Sequence, residues 1–105
     1  MTERELQAAV DLMCKQLGLY HYHTWNSQRS AAGWPDSVII GTRRAIFREL
    51  KTQAGQLSSA QREVGYRLTA AGLDWAVWRP ADLLDGSIAN ELCMVAGTRM
   101  RSVAG

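Results

Sequence analysis

Two carboxylates and a lysine are spaced in this sequence so that strand pairing would bring them together. Asp36 lies upstream of Glu49 and Lys51, which are separated by one residue, Leu50. Because side chains alternate along a strand, Glu49 and Lys51 point to one face and Leu50 points to the other. If the strand that starts near Asp36 pairs as a hairpin with the strand that contains Glu49, the two carboxylates lie close together.

This arrangement supports hydrolysis assisted by a metal ion. Oxygen ligands from Asp36 and Glu49, with a backbone carbonyl, make a site for a hard cation such as Mg²⁺. Such a cation activates water as a nucleophile and stabilises charge on a phosphodiester. Lys51 could orient that water or neutralise the phosphate. The alternative is that Glu49 and Lys51 form only an ion pair on a strand face.

The pattern is informative only when all of its parts are taken together. With about 6% of each charged residue type, a bare Glu-x-Lys occurs by chance in roughly one in three chains of this length. A Pro-Asp within about ten positions upstream lowers that chance to about one in a hundred. The complete pattern therefore favours a site over a coincidental ion pair.

Hydrophobic periodicity and turn residues predict the elements that must position these side chains. Apolar residues recur at helical spacing from about residue 3 to 17, and Gly18 ends that helix. Three strands follow, LYHYHTW, DSVIIG and AIFRELK, and the turn GTRR makes the last two a hairpin. A second helix begins at Ser58 or Ser59, LDWAVWR is a fourth strand, and ADLLDGSIANELCMVAG forms one or two short helices. The order α-β-β-β-α-β-α predicts an α/β fold in which helices flank a mixed sheet.

Length and composition narrow the class of protein. The 105 residues are 47% hydrophobic and 21% charged, which favours one folded domain over two domains or a disordered chain. We expect a single domain over residues 1–93 and a C-terminal tail over 94–105 that is either flexible or closes a dimer. Without a long apolar stretch or a signal peptide, we expect no membrane association and a cytoplasmic location. Cys14 and Cys93 form no CxxC pair and are expected to be reduced.

The charge distribution is compatible with a polyanionic partner. The net charge is only +2, but between residues 29 and 79 eight basic residues outnumber four acidic ones, a local excess of +4. A bound cation between two of those acids would make this region more positive still, which suits nucleic acid. An ordinarily solvated surface accounts for the charge equally well.

Several motifs occur in a fixed order along the chain. They are Gly33-Trp34-Pro35-Asp36, Phe47-Arg48-Glu49-Leu50-Lys51, Gly55-x-Leu57-Ser58-x-x-Gln61 and Val77-Trp78-Arg79-Pro80-x-Asp82, preceded by Glu3-x-x-Leu6-Gln7, Tyr22-His23-Thr24 and Arg29-Ser30. Over about residues 3–85 this run resembles VRR-NUC domains, the virus-type replication-repair nucleases of the PD-(D/E)XK superfamily. The resemblance implies a restriction-endonuclease-like PD-(D/E)XK core that hydrolyses DNA with Mg²⁺ or Mn²⁺ and no organic cofactor. The short phage and bacterial members further imply a homodimer that acts on branched DNA such as Holliday junctions.

The resemblance also implies roles for the residues that match the motifs. Asp36 and Glu49 take the metal-ligand positions, and the backbone carbonyl of Leu50 is the third protein ligand. Lys51 takes the position of the catalytic lysine. Gln61 matches a glutamine that supports the metal site or contacts phosphate.

Two further positions complete the comparison. Glu3 matches a glutamate of the first helix that faces the site through metal-bound water, and its place on the apolar stripe of that helix agrees. Ser37 departs from the pattern, because an aliphatic residue commonly follows Pro-Asp. This departure puts the packing of the strand in doubt more than the catalysis.

The residues predicted to contact nucleic acid lie mostly in loops and turns. They are His23, Arg29, Ser30, Trp34, Arg43 and Arg44. The arginines would contact phosphates, although a merely solvated role for each stays open. Of the four tryptophans, Trp34 is placed to stack on a base, whereas Trp75 and Trp78 are expected to pack in the core. His21 and His23 share a strand face, and without a third ligand we favour hydrogen-bonded or substrate-facing histidines over a zinc site.

The sequence therefore predicts a metal-dependent endonuclease. One alternative is a DNA-binding or assembly subunit that keeps the nuclease fold and needs a partner to cut. Another is a globular protein that does not bind nucleic acid. A homodimer is expected because one domain of this size has a limited footprint on a four-way junction.

Overall fold

A computed structural model describes residues 1–24 and 31–97 of the chain. The helices are α1 (Glu3–Gln16), α2 (Ser59–Ala70), α3 (Pro80–Leu84) and α4 (Ser87–Ala96), and the strands are β1 (Tyr20–His23), β2 (Ser37–Ile40), β3 (Ala45–Leu50) and β4 (Asp74–Trp78). Within the described ranges, none of the helices has the length and apolar character that crossing a membrane demands.

The strands form one mixed sheet in the order β1-β2-β3-β4. Strand β2 pairs antiparallel with both β1 and β3, whereas β3 and β4 run parallel. A parallel pair needs a crossover connection, which contains α2. Ser37 lies opposite Arg48, so Asp36 lies beside the end of β3 that carries Glu49. The predicted hairpin and the predicted mixed sheet flanked by helices are confirmed.

The hydrophobic core lies between one face of the sheet and helices α1 and α4. Alternate residues of β2 and β3 point into it, as expected for strands buried on one face. The core residues are Leu6, Val10 and Cys14 from α1, Ile39, Ile46, Leu50 and Trp78 from the sheet, and Ile88, Leu92 and Val95 from α4. Helix α4 continues to Ala96 and Val95 is buried, so the packed part of the chain extends past residue 93.

Helix α2 packs on the opposite face of the sheet, over β4. A Cβ atom at Gly65 would lie 2.5 Å from the ring of Trp75, so the absence of a side chain permits this close contact. Away from α2 the same face is open, and Tyr20, Tyr22 and Ile40 on β1 and β2 are exposed. Helix α2 thus covers only the part of the sheet next to the end of β3.

Arg48 lies on the core side of β3, which corrects its inclusion in the surface charge. Its side chain is 3% exposed, and its guanidinium nitrogens lie 3.0 Å from Asp74 Oδ1 and 2.6 Å from Glu91 Oε1. The guanidinium also stands 5.2 Å from the centre of the Trp78 ring. Because these carboxylates neutralise Arg48 inside the fold, it adds nothing to a surface that binds polyanions.

Candidate active site

The position of Asp36 is fixed by hydrogen bonds to β3 and to the end of β1. Its Oδ2 accepts from the main-chain N–H of Leu50 at 2.8 Å, and its carbonyl oxygen accepts from the N–H of Thr24 at 2.9 Å. The Thr24 hydroxyl donates to the carbonyl oxygen of Pro35 at 3.2 Å. These bonds tie the carboxylate of Asp36 to the last residue of β3.

The loop that precedes Asp36 packs against the first turn of α2. Gly33 has φ +82°, and a Cβ atom there would overlap the carbonyl oxygen of Ala60. This position therefore needs glycine both for its backbone conformation and for the close approach. The neighbouring Trp34 meets Phe47 edge to face, with ring centres 6.1 Å apart, and remains 37% exposed.

Glu49 is buried, and one of its carboxyl oxygens has no partner. The side-chain N–H of Gln61 donates to Oε1 of Glu49 at 3.0 Å. Among the residues that the structure describes, no group hydrogen-bonds to Oε2. Burial raises the pKa of Glu49 well above its usual range, and the neighbouring Asp36 carboxyl adds to that rise. Two adjacent carboxyls in a buried site favour sharing a proton unless another positive charge is present.

Lys51 and Glu3 act on Glu49 through their charges. Burial and Asp36 have the largest effects on the pKa of Glu49. Beyond these, the positive charge of Lys51 lowers that pKa, and the negative charge of Glu3 raises it. Lys51 directly follows β3, where its N–H donates to the carbonyl oxygen of Trp78 at 3.1 Å. Glu3 is exposed in the first turn of α1. The structure thus brings both residues within electrostatic range of Glu49.

An open cleft of about 490 Å³ lies between α1 and Asp36. Its lining includes Glu3, Arg4 and Gln7 from α1, His23 and Thr24 from the end of β1, and Asp36 and Leu50. Arg4 and Gln7 were not predicted to line a site. Helical spacing could have identified Gln7, because it lies four residues after Glu3 and so projects from the same face of the helix.

The donor set at the end of β3 fits a hard divalent cation. The unpartnered Oε2 of Glu49 and the adjacent Asp36 carboxylate are oxygen ligands of the kind that Mg²⁺ prefers. Across residues 1–24 and 31–97, no three His, Cys, Asp or Glu side chains assemble as a metal-binding group. A cation here would therefore rely on two carboxylates, with main-chain oxygen or water completing its coordination.

His21 is hydrogen-bonded at both ring nitrogens, as the sequence analysis favoured. Its Nδ1 lies 3.1 Å from Asp11 Oδ1, and its Nε2 lies 2.9 Å from Ser37 Oγ. The unusual serine after Asp36 is thus explained, because its buried hydroxyl bonds to His21. His23 lies beside His21, with ring centres 5.3 Å apart, and lines the cleft.

The predicted phosphate contacts do not all lie near the carboxylates. Arg43 and Arg44 occupy the β2–β3 turn, at the opposite end of the hairpin from Glu49. Strand β3 has six residues, and at about 3.3 Å per residue the separation is roughly 20 Å. Arg44 is also paired with Asp74, with Nη2 2.9 Å from Oδ2. Arg29 and Ser30 lie outside the described residues.

Comparisons with known proteins bear on the fold. No protein-family model matches the sequence, and no curated protein matches it. A structure described as a VRR_NUC domain protein is similar, with a TM-score of 0.65 and 23% identity over 88% of this chain and 90% of that chain. A second similar structure is Hjc, a Holliday junction resolvase from the archaeal hyperthermophile Archaeoglobus fulgidus, with a TM-score of 0.48 and 21% identity over 74% of this chain and 65% of that chain. The chain therefore has the mixed α/β fold of the VRR_NUC domain protein.

Proposed function

We propose that this protein is a metal-dependent endonuclease that hydrolyses phosphodiester bonds in DNA. The observation that carries the proposal is the pairing of Asp36 with Glu49, whose buried Oε2 lacks a hydrogen-bond partner in the described part of the chain. A buried carboxyl pair of this kind is costly unless it takes up a proton or a cation occupies the site. The fold shared with a VRR_NUC domain protein adds support.

The residues at the end of β3 have different roles in the proposed reaction. Asp36, Glu49 and the backbone carbonyl of Leu50 hold Mg²⁺ or Mn²⁺. When bound, the cation supplies Lewis acidity towards water and towards the phosphodiester. Gln61 orients Glu49 by donating to its Oε1. Lys51 carries a positive charge that either orients the attacking water or neutralises the phosphate in the transition state.

The open cleft receives the DNA strand. Glu3 faces the site across the cleft and acts through ordered water rather than by direct contact. His23 and Trp34 contact the DNA beside the carboxylates, and Arg29 and Ser30, which lie outside the described residues, are further proposed DNA contacts. Arg43 and Arg44 contact phosphates roughly 20 Å away, where an extended or branched substrate would reach them.

Branched DNA such as a Holliday junction is the proposed substrate, and a homodimer is the proposed active form. The order of the sequence motifs supports both, and a two-fold pair would present two equivalent sites to two strands. The proposed location is the cytoplasm of a bacterium or a phage-infected cell. Light scattering of the protein alone and with a junction tests the dimer, and a monomeric mass in both samples would overturn it.

A cleavage assay tests the activity. A labelled Holliday junction and a matched linear duplex are incubated with Mg²⁺, Mn²⁺ or EDTA and with the wild type or Lys51→Ala. We expect symmetric, metal-dependent nicking of the junction that falls by about a hundredfold or more in the variant. Arg67→Ala is the control for loss of a positive charge, because Arg67 is 76% exposed on α2, pairs with the exposed Glu63 and is not among the described residues that line the cleft.

The possible outcomes separate the parts of the proposal. Equal cutting of junction and duplex keeps the endonuclease and removes its preference for branches. Binding without cutting under every metal condition overturns the endonuclease in favour of a DNA-binding subunit that needs a partner.

A further inference from the structure

The loop over residues 52–57 connects two groups of the proposed site. Lys51 immediately precedes it, and Ser58, which follows it, caps α2 and fixes the start of the helix that carries Gln61. The positions of Lys51 and Gln61 relative to Glu49 therefore depend on the conformation of this loop.

Arg79 binds the main chain of this loop from the end of β4. Its Nη1 donates at 2.7 Å to the carbonyl oxygen of Thr52 and at 2.7 Å to that of Gly55, with a longer contact of 3.4 Å to that of Gln53. Three carbonyl oxygens thus converge on one guanidinium nitrogen. Hydrogen bonds from a charged donor are stronger than neutral ones, so these contacts restrain the loop from Thr52 to Gly55.

Neighbouring contacts fix Arg79 itself and a second point of the loop. The main-chain N–H of Arg79 donates to Asp82 Oδ2 at 2.8 Å, and the buried Pro80 begins α3. The N–H of Ala81 donates to the side-chain oxygen of Gln53 at 3.0 Å. The start of α3 is therefore a rigid support from which the guanidinium reaches the loop.

The loop passes near Lys51, within reach of one added side-chain carbon. A Cβ atom at Gly55 would lie 2.8 Å from Thr52 Oγ1 and 3.7 Å from Lys51 Cδ. A loop that moved by an ångström here would meet or release the stem of the lysine. Displacements of that size at a reacting group are enough to lower a rate by about a hundredfold.

We propose that Arg79 is a positioning residue. By binding the carbonyl oxygens of Thr52 and Gly55, it holds Lys51 and Gln61 at fixed positions relative to Glu49. This inference rests on the proposed function of the site. The hydrogen bonds of the Arg79 side chain that the structure describes go to the loop, and the core residue Trp78 lies next to it on the opposite side of the strand. Loss of the guanidinium should thus alter the loop and leave the core intact.

The test compares Arg79→Met, Arg79→Lys and Arg67→Met. Methionine keeps most of the side-chain volume and removes every donor. Lysine restores a charged nitrogen with three donors, which can replace contacts that all converge on one atom. Arg67→Met removes one positive charge from α2, where Arg67 pairs with the exposed Glu63, and it controls for charge.

The first readout is independent of activity. Amide hydrogen exchange at Lys51 and Gly55, and the side-chain amide resonances of Gln61, are followed by NMR. We expect faster exchange and shifted Gln61 resonances in Arg79→Met, wild-type behaviour in Arg67→Met and recovery in Arg79→Lys, with Ile39 and Ile46 unchanged in all three. Unchanged signals at Lys51, Gly55 and Gln61 in Arg79→Met would overturn the proposal.

The second readout is cleavage at saturating DNA. We expect the rate of Arg79→Met to fall by about 10–100-fold while its affinity for DNA stays within about twofold of the wild type, and Arg79→Lys to recover most of the rate. If Arg79→Met does not fold, Arg79→Gln replaces it, and failure of both variants to fold assigns Arg79 to stability and rejects the positioning role. If the wild type cuts no DNA, the proposed function fails, and the NMR comparison still decides whether Arg79 positions Lys51 and Gln61.

Discussion

The side-chain amide of Gln61 donates to Oε1 of Glu49 at 3.0 Å. The oxygen of the same side-chain amide accepts from the main-chain N–H of Ser58 at 2.8 Å. In return, the Ser58 hydroxyl accepts from the main-chain N–H of Gln61 at 3.1 Å. One side chain therefore closes the N-terminus of α2 and holds a carboxylate of the candidate site. The capping bond leaves the amide nitrogen directed at Glu49, so the start of the helix determines the orientation of that carboxylate.

Gln61→Glu separates these two functions. Glutamate also completes a capping box, so the start of α2 should be kept, but the donor to Glu49 is lost. The new carboxylate oxygen also repels Glu49 and Asp36, so we expect the melting temperature to fall in EDTA and to recover in part with Mg²⁺, and the cleavage rate in Mg²⁺ to fall about tenfold or more. Ser58→Ala should do the reverse, losing about 1 kcal/mol of stability and keeping most of the activity. Thermal unfolding and cleavage rates check both, and equal losses of activity in the two variants would contradict the assignment.

Glu49→Gln should stabilise the protein when no divalent cation is present. The substitution keeps the shape of the side chain and removes a carboxyl group that, without a cation, must either be buried as a charge or take up a proton beside Asp36. In EDTA we expect the free energy of unfolding to rise by about 1–2 kcal/mol, while cleavage is abolished. Mg²⁺ should raise the melting temperature of the wild type and leave that of the variant unchanged. A variant less stable than the wild type in EDTA would argue against a site built for a cation.

The stability of the fold should depend on the protonation of His21. Burial lowers the pKa of His21 from its usual 6.5, and the hydrogen bond to Asp11 opposes that change. The folded state then binds fewer protons than the unfolded state, so the free energy of unfolding falls as the pH drops below about 6.5 and levels off below the folded-state pKa. His21→Gln cannot titrate and should lose less stability over the same range. Urea denaturation between about pH 7 and pH 5.5 measures the difference, and parallel curves would show that His21 does not contribute.

Gly65→Ala should destabilise the protein although alanine is the better helix former. In an open helix the substitution gains about 1 kcal/mol. Here the new Cβ atom would lie 2.5 Å from the Trp75 ring, so helix α2 or the indole must move. We expect a net loss of about 1–3 kcal/mol in chemical denaturation. Thr69→Ala, at an exposed position of the same helix, should be close to neutral.

Strand periodicity was sufficient to predict the hairpin and the placement of its carboxylates. The alternation of Ile46, Arg48 and Leu50 along β3 also indicated that Arg48 faces the core, although its charge led to a surface assignment. Hairpin geometry likewise placed Arg43 and Arg44 at the far end of the strands from Glu49. Arg48 was counted in the local positive charge because its charge was considered before the strand face that it occupies.

The contacts between distant segments could not be predicted from the sequence. The bonds from Gln61 to Glu49, from Arg79 to Thr52 and from His21 to Ser37 join residues that only tertiary packing brings together. Local patterns predict the face that a residue occupies but not the partner that it meets there. Ser37 illustrates the difference, because it departs from the expected aliphatic residue and is explained only by its partner.

Helix α4 determines where the chain can be shortened or joined to another protein. Leu92 and Val95 fill the core from this helix, and Glu91 binds the buried Arg48. A chain cut at residue 93 would lose Val95, expose the apolar surface beneath it and remove the last turn that holds Glu91 in place. A tag or a fusion partner should therefore be attached after Gly97, and a shortened chain should end there, because α4 has ended at that point.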